Sequence, residues 1–168
     1  SISYEYDPSD ALKARELYLT EINGSYQKDP SEDVISIRTG IMGNKGRIHI
    51  NVGAPLKKAM DEHFESMDSG SHAPLNKREQ VTLVANILDQ QIRKNFKNWP
   101  TNYIAFDLLA GNDSMKENYS SEEKSKFLNR METQLNSTEI GQEARPRLRQ
   151  IFLESYANSV RHAAPISE

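Results

Sequence analysis

The chain has 168 residues and a net charge of −3, so it is long enough for one buried core and gives no reason to expect a nucleic-acid surface. It contains no cysteine, which excludes disulfides and thiolate metal sites and makes a reducing, cytoplasmic setting the simplest one. No run approaches the ~20 apolar residues of a membrane-spanning helix, and the mean hydropathy of −0.73 suits solvated helices.

The first six residues alternate, with Ile2, Tyr4 and Tyr6 on one side and Ser1, Ser3 and Glu5 on the other. That is the period of a half-buried strand. Domains seldom open in mid-strand, so the expectation is that the chain begins inside a larger protein. After Asp7-Pro8, Ser9 or Asp10 can cap a helix whose modest apolar face is Leu12, Leu17, Leu19 and Ile22, with Tyr18 nearby. Asn23-Gly24 stops it. The polar stretch from Tyr26 to Glu32, with Asp29-Pro30, reads as a loop, and the apolar run Val34, Ile35, Ile37 as a short strand. Gly43, Asn44 and Gly46 tolerate positive φ, so a hairpin tip is expected there. Ile48, Ile50 and Val52 then alternate with Arg47, His49 and Asn51 as a second strand, which Gly53-Ala54-Pro55 closes.

Everything after Leu56 reads as helix. A short one over Lys57 to Met67 carries Met60, Phe64 and Met67, and the stretch from Asp68 to Pro74 reads as a linker. The clearest helix covers Lys77 to Lys97, with the stripe Val81, Val84, Ala85, Leu88, Ile92 widened by Leu83 and Ile87. So wide a stripe expects cover on two sides. The apolar segment YIAFDLLAG, with Thr101 as its cap, and the faces Phe127/Leu128/Met131/Leu135 and Ile151/Phe152/Tyr156 can supply it. Ser120-Ser121-Glu122-Glu123 has the form of a capping box, and Pro146 breaks or starts the last helix. The helices from Lys77 onward are therefore the expected stable core, with Leu88 inside it.

Little of this carries chemistry. His63 and Asp68 stand five positions apart, a spacing that suits a base and its orienter, but a chance match at the end of a helix is the plainer account. His49, His72 and His162 are not spaced with carboxylates in a metal-binding pattern. Gly40, Gly43 and Gly46 resemble a phosphate loop only loosely, and turn geometry explains them.

Three strings are more specific: SISYEYDPSDALKARELY, EDVISIRTGIMGNKGRIHINVGAPL and NWPTNYIAFDLLAG. Together they resemble bacterial glycerolipid acyltransferases, which acylate glycerol-3-phosphate or 1-acylglycerol-3-phosphate. In that family a strand of the type "VPVSISYE" forms the fourth conserved block, and a later strand of the type "KGRIHVNFGEPI" completes the sheet. Ser1 to Glu5 matches the end of the first, and Lys45 to Leu56 matches the second.

The resemblance covers the first third of the chain and reaches the helical remainder only through WPTNYIAFDLL. The family's His-x4-Asp block, with its general base and orienting aspartate, lies upstream of the fourth block and has no counterpart here. His63 and Asp68 follow the closing strand and lack the family's flanking residues.

The resemblance implies an α+β chain: the terminal strands, or β-hairpin, of an α/β acyltransferase sheet over residues 1–58, then a mostly helical C-terminal region over 59–168. It implies no cofactor, no metal site and no catalytic residue in this chain. It implies acyl-CoA or acyl carrier protein as donor to the parent, a glycerophosphate acceptor, and a parent at the inner face of the bacterial membrane. Tyr4 and Glu5 are the candidates for lining the acyl or acceptor site, and Lys45 and Arg47 for contact with phosphate or a headgroup. Self-association through the exposed strands is a further expectation. The alternatives are a non-enzymatic helical interaction or regulatory module and, disfavoured by the opening in mid-strand, a complete small protein.

Overall fold

The computed structural model describes residues 1–66 and 75–163. Two short strands, β1 (Ile2–Tyr4) and β2 (Ile48–Ile50), form an antiparallel pair. Among the described residues seven α-helices accompany them: α1 (Asp10–Asn23), α2 (Pro30–Met42), α3 (Leu56–Ser66), α4 (Lys77–Asn95), α5 (Pro100–Ala110), α6 (Ser121–Asn136) and α7 (Arg145–Ala163). The class is α+β with a helical C-terminal region, as expected. The chain forms two compact units, one of Ser1–Ser3 with His49–Lys97, the other of Tyr4–Ile48 with Asn98–Glu168.

The larger unit holds the core. α5 and α7 pack most extensively, and α1 and α6 join them. Phe127 and Met131 of α6, Leu148 and Phe152 of α7 and Ile104 of α5 are fully buried. Phe127 meets Tyr156 edge-on at 5.1 Å and 76°, a favoured aromatic geometry. The capping box read at Ser120 is present: its hydroxyl accepts from the Glu123 N–H at 3.1 Å, and the Glu123 carboxylate accepts from the Ser120 N–H at 2.9 Å. Gly24, at φ 74°, ends α1 in the left-handed conformation.

α5 starts two residues earlier than Thr101 as a cap would allow. Pro100 fixes φ near the helical value and fills the first position, where no N–H is needed. The Asn102 amide oxygen accepts from the Trp99 N–H at 2.7 Å, and the Thr101 hydroxyl instead donates to the Glu5 carbonyl at 2.7 Å.

The strand expected over Val34 to Ile37 is part of α2. Asp29-Pro30, taken as loop, is a helix start: the Asp29 carboxylate accepts from the Ser31 N–H at 2.8 Å, Pro30 follows, and Glu32 and Asp33 favour the positive end of the dipole. Val34, Ile37 and Ile41 then recur at helical spacing, which a short apolar run hides. The segment Gly43–Gly46 accordingly joins a helix to β2 rather than forming a hairpin tip. Gly46 has φ 62°, and the Asn44 carboxamide accepts from its N–H at 2.8 Å.

In the smaller unit α3 packs on α4. The N-terminal amine of Ser1 donates to the Asn51 carbonyl at 2.7 Å, and the Asn51 N–H returns to the Ser1 carbonyl at 2.9 Å. Asn76 and Glu79 form a capping box on α4. The stripe on α4 is not the core: Ile87 alone is buried on this helix, Leu88 is 43% exposed, and Val81 and Ile92 are exposed. Helices α5, α6 and α7, expected to cover it, belong to the other unit. Helical spacing identified an apolar face and could not say which faces meet.

Candidate functional site

Four residues singled out by sequence, Tyr4, Glu5, Lys45 and Arg47, all lie in the larger unit. The Glu5 N–H donates to the Arg47 carbonyl at 2.9 Å, and the Tyr6 N–H to the Lys45 carbonyl at 3.0 Å. This register sets Glu5 opposite Arg47. The buried Glu5 carboxylate accepts from the Arg47 backbone N–H at 3.0 Å, from Nε at 3.0 Å and from Nη2 at 2.8 Å. A forked, charge-assisted pair of this kind is among the stronger polar contacts a protein makes.

Nη2 of Arg47 also donates to Glu123 at 3.0 Å, and the guanidinium lies 5.2 Å from the centre of the Trp99 ring. The Glu5 bonds, against the opposing effect of burial, hold the Arg47 guanidinium above its ordinary range. Bonding to the Ser120 N–H, with help from Arg47, holds Glu123 below its own.

One cation between two carboxylates gives this cluster a formal charge of −1. Nε and Nη2 of Arg47 are thus already committed to Glu5 and Glu123. Lys45 is engaged too: its Nζ donates to the carbonyls of Ile41 at 3.0 Å and Gly43 at 3.3 Å, at the C-terminal end of α2. Tyr4 stands exposed. The structure thus joins Glu5 to Arg47, turns Lys45 toward α2 and leaves Tyr4 facing solvent.

Sequence reasoning missed Trp99 and Glu123 in this cluster, and it missed a second, more deeply buried one. The Asp10 carboxylate, read only as a possible cap, accepts from Arg130 at 3.0 Å, from the Tyr156 hydroxyl at 2.8 Å and from the Ala11 N–H at 2.7 Å. Arg130 further donates to the Asp7 carbonyl at 2.9 Å and sits 5.0 Å from the centre of the Tyr6 ring. Burial pushes Asp10 upward although Arg130 opposes it, and burial and the Asp10 charge push Tyr156 well up. These groups tie the start of α1 to α6 and α7. Nothing in a single sequence links positions 120 and 146 residues apart. A third carboxylate, buried Asp107, accepts from the Tyr119 hydroxyl at 2.8 Å and from the Met115 N–H at 3.1 Å, closing the turn after α5. Burial and Asp107 push Tyr119 up to about 12.

The backbone at His63 lies in α3, whereas its side chain, that of His162, and residues Asp68 and His72 are outside what is described. Among the described residues no group of three or more His, Asp or Glu side chains is placed to hold a metal ion. No described helix is long and apolar enough to cross a membrane. No protein-family model matches the chain, nor does any curated protein or solved structure.

Proposed function

We propose that this chain is the C-terminal part of a glycerolipid acyltransferase, whose parent transfers an acyl chain from acyl-CoA or acyl carrier protein to the hydroxyl of glycerol-3-phosphate or its 1-acyl derivative. The resembled family carries its general base in a block upstream of the strand that SISYE matches, so this reading takes the chain alone to be inactive. One observation supports the reading above the others. The strings SISYE and KGRIHINV, which in the resembled family belong to one sheet, pair here as antiparallel neighbours with Glu5 opposite Arg47. Ile2, Tyr4, Ile48 and Ile50 are all exposed, and Val52 is 91% exposed. A two-stranded ribbon is marginal by itself, and one with so much apolar surface suits the end of a wider sheet.

In this reading Glu5 and Arg47 hold the two strands in register beside the acceptor site, Tyr4 lines that site, and Lys45 closes α2. The parent acts peripherally at the inner face of the bacterial membrane and binds no nucleic acid. The test is the reading frame upstream of Ser1. The reading expects a His-x4-Asp block within ~200 residues, the span of about one domain, and its absence ends the proposal. The second reading, a non-enzymatic interaction module, is favoured by the uncovered apolar face of α2.

A further inference from the structure

α2 is amphipathic in the opposite sense from α6. At about 100° per residue, Val34, Ile35, Ile37, Ile41 and Met42 fall within an arc of about 160°. All five are exposed, Met42 at 78%. The opposite arc holds Glu32, Ser36, Thr39 and Gly40, and those are the partly buried positions. Glu32 accepts from the Tyr26 hydroxyl at 2.7 Å and lies 3.8 Å from Arg15. The helix therefore offers its polar side to its own unit and its apolar side to solvent, the reverse of what burial favours.

Arg38 stands in the middle of the apolar arc. It lines a shallow depression with Val34, Ile37, Ile41 and Met42, and among the described residues no carboxylate pairs with it. We propose that this face docks an amphipathic helix of another protein, one carrying a carboxylate in the middle of its apolar stripe. The 13 residues of α2 offer a strip that a helix of similar length can cover. A wholly apolar cover would leave a desolvated, unpaired guanidinium, whereas a carboxylate gives it a forked partner.

The same residue argues against the other occupants. Two copies of α2 packed antiparallel across a two-fold axis would bring one Arg38 beside the other, because it lies near the middle of Pro30–Met42. A helix lying in a bilayer surface would carry Arg38 on its deepest line. α2 has no second basic residue to reach anionic headgroups, and Glu32 and Asp33 would be repelled by them. The inference deepens the interaction-module reading given above and does not depend on the acyltransferase reading.

The test uses the full chain and two synthetic helical peptides that differ only at the centre of a leucine stripe, Glu in one and Lys in the other. Binding is read by fluorescence anisotropy and by the amide shifts of Val34 to Met42. The Glu peptide should shift those amides and bind on the order of tenfold tighter, a difference equivalent to about 1.4 kcal/mol. Arg38→Glu should reverse the order, and Ile37→Ser should weaken both. Both positions are exposed, so the fold should survive, and the comparison on the unaltered chain stands without the variants. Equal affinity for the two peptides, or no shift in α2, would overturn the proposal. So would α2 shifts produced by phosphatidylglycerol vesicles in place of peptide, or by self-association that Ile37→Ser abolishes.

Discussion

Phe152→Ala in α7 should come close to unfolding the larger unit, while Leu88→Ala in α4 should leave that unit almost unchanged. Phe152 is 0% exposed, with ring centres 6.2 Å from Phe127 and 5.4 Å from Tyr156. Truncating a fully buried Phe costs about 3–5 kcal/mol, cavity included. Domains are stable by only about 5–15 kcal/mol, so that loss is a large part of the whole. Leu88 keeps nearly half its surface in water and forfeits only a fraction of the ~2–5 kcal/mol of a buried Leu→Ala.

Trp99, the single tryptophan, is buried and belongs to the larger unit. Urea denaturation followed by its fluorescence should show the Phe152→Ala midpoint falling by ~2 M, given a slope of about 1–3 kcal/mol per molar. The Leu88→Ala midpoint should stay near that of the parent chain. If Leu88→Ala lowers the midpoint as far as Phe152→Ala does, the packing hierarchy described above is wrong.

Arg47→Ala should destabilise the larger unit by about 1–3 kcal/mol, because it leaves the buried Glu5 carboxylate without its counter-charge and with only the backbone N–H at position 47 as donor there; the range is reduced for the solvent exposure of Arg47. Loss of exchange protection at the Glu5 and Tyr6 amides would register it, and unchanged protection would contradict the clamp. Burial raises Asp10 above its ordinary 3.8, so the native state holds that proton more tightly than the unfolded chain does. Its contribution to stability is full below 3.8 and lost as pH rises through the raised value. Asp10→Asn should therefore make stability rise more steeply with pH above about 4 in urea midpoints taken across that range, and a shallower rise would speak against this. Sedimentation over a wide concentration range should reveal self-association through the exposed strands, lost in Ile50→Lys; a strictly monomeric chain would count against it.

Local signals were legible and long-range ones were not. The Ser120–Glu123 box, the Gly24 stop and the boundaries of α4 and α5 follow from residues within a few positions of each other, and the structure matches them to within about three residues. α2 departs from the expected strand because a run of β-branched residues at 34, 35 and 37 fits both periods, and the deciding signal, Asp29-Pro30 as a helix start, looks the same as a turn. The α4 stripe is legible as an apolar face, but spacing does not tell how deeply a face is buried, and Ile87 is its one buried residue. At the candidate site Glu5 and Arg47 were picked out through a family resemblance, whereas their mutual pairing needed the strand register. Trp99 and Glu123 come from two further elements, and no sequence pattern announces them.

The most direct measurement is release of free thiol from acyl-CoA or acyl carrier protein, with glycerol-3-phosphate or 1-acylglycerol-3-phosphate as acceptor, for this chain and for the full-length product that the proposal expects its gene to encode. The account predicts acceptor-dependent release by the full-length product and none by the chain alone. Release by the chain alone that His63→Ala abolishes, or an inactive full-length product, would contradict it.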